Sequence, residues 1–175
     1  AAWLQEAALT LRPLAMRPTI VIPVIVATIA AACVAALGAT MTDLGPWYQG
    51  LAKPAWNPPD ALFPMGWTLI YALITVAGIT AWRAARTSAQ AEWVIGLFAL
   101  NGFLNISWSI LFFRLQRPDW AFWEVTALWL SILAMIVYCG RFSRAAGLLL
   151  LPYLGWVSFA GALNWAVVQL NAPFG

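Results

Sequence analysis

Tryptophan and asparagine carry most of the side-chain chemistry in this 175-residue sequence, and their spacing repeats. Trp67 and Tyr71 are four residues apart; Asn101, Asn105 and Trp108 follow at four and three; Trp156, Ala160 and Asn164 stand at four and four. On helices each set shares one face. Indole rings offer stacking surface, and indole and amide N–H groups offer hydrogen bonds to the edges of a flat molecule. An asparagine in hydrocarbon is unfavourable unless bonded. Two arrangements satisfy it: helix-to-helix pairs worth about 0.6 kcal/mol each, or a shared cleft for a flat, largely apolar ligand with a few polar edges. The residues leave both open.

Other chemistries are excluded more firmly. Histidine is absent, which removes His-based triads and the commonest zinc and haem ligands. Cys33 and Cys139 fall in separate apolar runs, so neither a disulfide framework nor a metal site is expected. The six acids lie at or near predicted helix ends, with Glu124 reaching about one turn inside, so no mid-membrane carboxylate relay is expected. A proton-coupled pump or a hydrolase is not anticipated. The net charge of +3 comes from basic residues scattered in pairs, which does not make a nucleic-acid surface.

The elements that must position these side chains follow from charge placement. The chain is 63% hydrophobic and 9% charged, against about 25% charged in a soluble domain. Asp, Glu, Lys and Arg are missing from 18–42, 61–82, 93–113, 125–140 and 145–175. Each window supplies about 20 apolar residues, the fourth with help from Phe122 and Trp123, enough to span a bilayer core of about 30 Å. The expected fold is an all-α membrane protein: a five-transmembrane-helix bundle with helices at about 19–41, 62–83, 91–114, 120–140 and 145–170. Residues 1–17 form an N-terminal extension in which 3–12 suit an interfacial helix, and 18–175 form the bundle. Basic residues divide six to three between the two sides, favouring a cytoplasmic N-terminus.

Trp3, Trp82, Trp93, Trp120 and Trp123 sit where an interfacial belt would lie, whereas Trp108, Trp129, Trp156 and Trp165 do not, and an indole N–H at that depth needs a partner or a polar cavity. In the first span, Ala27, Ala31, Ala35 and Ala39 recur every four residues, a face suited to close packing within the bundle or to a homodimer seam. Pro152 should kink the fifth span, with Gly155 and Gly161 keeping it thin nearby. The one long connection, between the first two spans, contains KPAWNPPDALFP at 53–64. Pro54, Pro58, Pro59 and Pro64 restrict φ and remove N–H donors, so this segment reads as a preorganised lid that holds Trp47 and Trp56 over a cleft.

The sequence Trp47-Tyr48-x-x-Leu51-x-Lys53-Pro54-x-Trp56-x-Pro58-Pro59, followed by Phe63-x-x-x-Trp67-x-x-x-Tyr71, resembles the central motif of the TspO/translocator protein family, the tryptophan-rich sensory proteins. The likeness continues through Leu104-Asn105-x-x-Trp108-x-x-x-Phe112-Phe113 and Pro152-Tyr153-x-x-Trp156-x-x-Phe159-Ala160-x-x-Leu163-Asn164, covering about 20–170. It implies a multi-pass protein of a bacterial cell envelope, usually a homodimer in the lipid bilayer, with a ligand cavity closed by the first loop. Family members bind porphyrins, notably protoporphyrin IX, and some bind sterols or synthetic isoquinoline carboxamide and benzodiazepine-type drugs. Bacterial members are linked to tetrapyrrole export and to pigment or stress regulation, with no obligatory cofactor and no metal. By matching position the ligand-facing residues are Trp47, Trp67, Asn101, Asn105, Trp120, Trp156, Ala160, Leu163 and Asn164. Light-dependent porphyrin degradation, reported for some members, would put Trp47 and Trp156 in a photochemical role; a structural or partner-binding membrane protein with an incidental cavity is the remaining alternative. The sequence departs from the animal sterol motif in the fifth span, where Trp165 and Gln169 replace its Tyr and Arg, so high-affinity sterol recognition is not implied. The same permissive pattern recurs as Leu133, Tyr138, Arg141 and as Leu44, Tyr48, Lys53.

Overall fold

The computed structural model describes residues 21–174. The N-terminal extension 1–17 and its proposed interfacial helix lie outside the described residues. The elements are α1 (Val21–Met41), α2 (Pro46–Gly50), α3 (Leu62–Ala84), α4 (Ser88–Ser109), α5 (Pro118–Gly140), α6 (Arg144–Leu149) and α7 (Leu151–Asn171), with a π-helical turn over Ile110–Arg114 extending α4. No strand occurs among the described residues. Five spans are long and apolar enough to cross a membrane, α6 and α7 together making the fifth. The large apolar side chains left on the outside, such as Trp123 (74% exposed) and Phe103 (66%), are what a bilayer solvates.

The span boundaries follow local signals. Thr87 caps α4, its Oγ1 accepting from Gln90 N at 3.2 Å, while Gln90 Oε1 reaches back to accept from Arg86 N at 2.7 Å. This is a capping-box arrangement shifted by one residue. Pro118 opens α5, where a missing N–H costs nothing. Pro64 lies in the first turn of α3, a tolerated position, so the loop's prolines stop at the helix rather than break it.

Pro152 acts as its chemistry requires. The fifth span breaks at Leu150, and α7 starts with Pro152 in its first turn. The short α6 then packs tightly on α5: a Cβ on Gly147 would sit 3.3 Å from Gly140 Cα and from Ile136 O. Gly155, by contrast, faces open space; Gly161 lies against Val125, 3.5 Å from where a Cβ would be.

The π turn departs from the regular helix expected there. Leu115 N donates to Ile110 O at 2.9 Å, and Gln116 closes the segment in the left-handed region at φ 54°. The widened turn puts Phe112 and Phe113, adjacent in sequence, both in the interior. At the centre α5 buries Ala121, Val125, Leu128, Ile132, Met135 and Cys139, a four-three stripe packed between α4 and α7. α1 lies at the edge against α3 and α4 and buries only Gly38.

Candidate functional site

The half of the bundle next to the proline-rich loop contains a cavity of about 480 Å³. Its floor is polar. Tyr71 OH donates to Asn105 Oδ1 at 2.7 Å, and Asn105 Nδ2 donates to Tyr153 OH at 3.4 Å. The relay continues as Tyr153 OH donates to Asn101 Oδ1 at 3.1 Å and Asn101 Nδ2 to Ser131 Oγ at 2.8 Å. On another wall, Trp108 Nε1 donates to Asn164 Oδ1 at 3.0 Å, and Asn164 Nδ2 donates to Pro118 O at 2.8 Å. The three asparagines therefore do pair helix to helix, and Asn105 and Asn164 line the cavity as well. The helix-to-helix pairing is thus present, and two of the three asparagines also border a cavity.

The walls are aromatic. Trp67 stacks on Tyr71 at 5.4 Å between centroids and meets Trp156 edge-on at 6.0 Å. Trp156 also packs against Phe159 at 6.1 Å, and Phe159 meets Trp56 of the loop at 5.9 Å. The position of the Trp156 ring depends on Gly66, where a Cβ would lie 2.3 Å from Trp156 Cη2. Trp129 finds a partner elsewhere, donating to Ser158 Oγ at 2.9 Å. Trp156 Nε1 does not: it is buried with no hydrogen-bond partner, and so is Asn57 Oδ1 from the loop. Both residues line the cavity, but these two atoms are enclosed by protein and not presented to it.

The loop borders the cavity through Lys53, Asn57 and Asp60, whereas Pro54, Trp56, Pro58 and Pro59 lie outside the lining, and contacts hold it in place. Asn171, at the end of α7, accepts from Ala52 N and donates to Ala52 O, each at 2.8 Å. Arg114 donates to Thr40 O, tying the end of α4 to the end of α1. Lys53 Nζ donates to Tyr48 O at 2.9 Å and lies 4.1 Å over the Tyr48 ring. Asp60 accepts from Tyr48 OH and from Gln49 Nε2, both at 3.4 Å. Burial, then the charge of Asp60 and its hydrogen bond, push the Tyr48 hydroxyl up to about 12. Lys53 and Asp60 are the charged residues in the described lining.

Of the nine ligand-facing candidates, Trp67, Asn105, Trp156, Ala160, Leu163 and Asn164 line this cavity. Asn101 lies deeper, on the far side of the Tyr71–Asn105 bond. Trp47 packs edge-on against Phe112 at 6.0 Å, outside the lining. Trp120 is half exposed beneath the Arg117 guanidinium, 4.2 Å from its ring centre. The alanine stripe of α1 turns toward α3 and α4: Ala35 and Ala39 line this cavity, and Ala27 and Ala31 line another beyond the floor. Asn57, Phe63 and Phe112 are lining residues that sequence reasoning had not singled out as ligand-facing, although Phe63 and Phe112 stand in the quoted motifs. Glu124 also differs from expectation. Because α5 begins at Pro118, Glu124 sits about two turns inside, with both carboxylate oxygens buried and unpartnered. Among the described residues no cluster of His, Cys, Asp and Glu could hold a metal.

Five spans around a loop-capped aromatic cavity define a multi-pass integral membrane protein of compact helical-bundle type. The chain belongs to the TspO/MBR family, which it matches over residues 21–170. It is 41% identical over 130 residues to "Tryptophan-rich protein TspO" of Chlorobaculum tepidum, covering 71% of this chain and 79% of that protein. The protein of the same name from Archaeoglobus fulgidus is 42% identical over 133 residues, 76% of this chain and 85% of its own length. "Protein CrtK" of Rhodobacter capsulatus is 35% identical over 136 residues, 78% and 84% of the two chains.

Proposed function

We propose that this protein is a membrane receptor or carrier that binds porphyrins, tetrapyrroles of the protoporphyrin IX kind, in the cavity beneath the loop. Its role is in tetrapyrrole transport, sensing or stress regulation, with the porphyrin as ligand rather than obligatory cofactor. One observation carries the reading: the cavity beside the loop is walled by the indoles of Trp67, Trp108 and Trp156 and has Lys53 in its lining. Indole faces are stacking surfaces for a flat, largely apolar ring system. The volume of about 480 Å³ falls within the range of about 300–1,000 Å³ usual for small-molecule sites. Lys53 is the cation available to a ligand carboxylate. Titration of the purified protein with protoporphyrin IX tests the reading; absence of saturable binding overturns it. The reading includes a homodimer, tested by sedimentation in detergent, where a solely monomeric protein would remove it.

A second reading, light- and oxygen-dependent porphyrin degradation, is favoured by the aromatic contacts Trp67–Trp156–Phe159–Trp56, which run without interruption from the floor to the loop. Trp156 is its principal residue, with Trp47 secondary. Illumination of the bound complex separates the two readings: product formation that depends on Trp156 favours chemistry, and a stable complex favours binding alone.

A further inference from the structure

Below the Tyr71–Asn105 hydrogen bond the bundle holds a second, larger cavity of about 640 Å³ between α1, α3 and α4. Tyr71 and Asn105 line both cavities, so their bonded side chains are the partition between them. The two chambers differ in chemistry. The lid-side lining includes Lys53 and Asp60; the described lining of the inner chamber has no Asp, Glu, Lys or Arg.

The hydroxyls and amides that reach the inner chamber already have partners. Tyr71, Asn105, Tyr153 and Asn101 are joined in the relay that forms the floor above, and Thr75 Oγ1 donates to Tyr71 O at 2.8 Å. A ligand that needs several hydrogen bonds therefore loses its water there with little beyond the Trp82 N–H to replace it, which is unfavourable. A hydrocarbon has no such cost. The rest of the wall is aliphatic or aromatic, including Ala27, Ala31, Val34, Ile79 and Phe98.

The mouth also points to the source of the occupant. Its rim includes Val26 and Phe103, both strongly exposed and both well inside their spans, so the chamber opens sideways at the depth of the acyl chains. We propose that the inner cavity is a second ligand site, taking a hydrocarbon chain of a membrane lipid that enters laterally from the bilayer. This site is independent of porphyrin binding in the lid-side cavity.

The test is photolabelling of the full chain in phosphatidylcholine nanodiscs with palmitic acid carrying a mid-chain diazirine, the adducts being mapped by mass spectrometry. The expected result is enrichment of adducts on Val34, Ile79 and Phe98 over the outward-facing Ile29, Leu130 and Val137. Ala31→Phe, which fills the chamber, removes the inner-wall adducts and leaves the outward ones. Ala30→Leu, at a more exposed lining position, is the milder variant should Ala31→Phe fail to fold. Inner-wall labelling no greater than outward labelling, or labelling indifferent to filling, overturns the proposal. So does an unlabelled inner wall in a chain whose α1–α4 face crosslinks to a second copy, because the occupant would then be protein.

Discussion

Asn171 and Ala52 exchange two hydrogen bonds of 2.8 Å, so the side chain that ends α7 holds the backbone of the loop as a strand partner would. The contact joins residues 119 positions apart and fixes the loop directly over the cavity lined by Trp156 and Leu163, earlier on α7. A side chain that both accepts from and donates to one residue sets loop position and orientation together. Asn171→Ala removes both bonds. Each is solvent-exposed, so the pair contributes at the low end of about 0.5–1.5 kcal/mol per bond. The expected outcome is a bundle that stays folded and a bound porphyrin that dissociates about fivefold faster, read by stopped-flow mixing with a competing acceptor. Unchanged dissociation would mean that the loop is held elsewhere.

Proline stiffness is the second restraint on the same loop. Pro58→Gly/Pro59→Gly restores backbone freedom that the open loop gains and the closed loop loses, about 0.4–1 kcal/mol per proline. The double variant should weaken ligand binding about tenfold, chiefly through the off-rate, while far-UV circular dichroism remains that of the parent. Combined with Asn171→Ala, the two effects should be less than additive because both act on one closure. Full additivity in the off-rates would separate the two restraints.

Gly66 is predicted to be a positioning residue for the Trp156 ring. Gly66→Ala places a methyl group 2.3 Å from Cη2 of that ring, so the indole or the α3–α7 spacing must shift. Overpacking of this kind costs about 1–3 kcal/mol. Lower thermal stability in detergent and weaker tetrapyrrole binding are expected together. Trp156→Leu in the same chain removes the clash and should recover stability without recovering binding. Recovery of both would remove Trp156 from the site.

Tyr48 gives the loop a pH limit. Its hydroxyl is held up to about 12 by burial, by the charge of Asp60 and by the hydrogen bond to it, against about 10 in an unfolded chain. A raised folded-state value means that the neutral phenol is favoured in the folded loop. Its stabilising contribution is whole below about pH 10 and is lost as pH rises through about 12. Porphyrin dissociation should therefore accelerate between those limits, and Tyr48→Phe should flatten that part of the profile. A profile unchanged by Tyr48→Phe would assign the transition to another group.

Much of this architecture is legible in the sequence because lipid imposes a simple rule: charges leave the spans. The five charge-free windows therefore mark α1, α3, α4, α5 and the α6–α7 pair, most boundaries falling within a few residues of those expected. The break before Pro152 follows from a missing donor, and the Trp–Asn faces follow from helical spacing. Four features do not show in local pattern. The π turn at Ile110–Arg114 needs only one extra residue per turn, which no residue type signals. Glu124 reads as a helix-end acid until the start of α5 at Pro118 is known. The Asn171–Ala52 clamp depends on tertiary closure. The inner cavity depends on how far the alanine-rich half of α1 stands from α3 and α4, a distance that composition does not encode.

The central claim is that a porphyrin sits against Trp67 and Trp156 beneath the loop. It is tested most directly by tryptophan fluorescence during a protoporphyrin IX titration of the parent and of Trp67→Phe/Trp156→Phe. Indoles in contact with a bound tetrapyrrole lose their emission, and phenylalanine preserves the ring packing that Tyr71, Tyr153 and Phe159 require. The account predicts saturable quenching in the parent and loss of most of that quenching in a double variant that remains folded. A folded double variant that quenches as the parent does, or a parent that shows no saturable quenching, would contradict it.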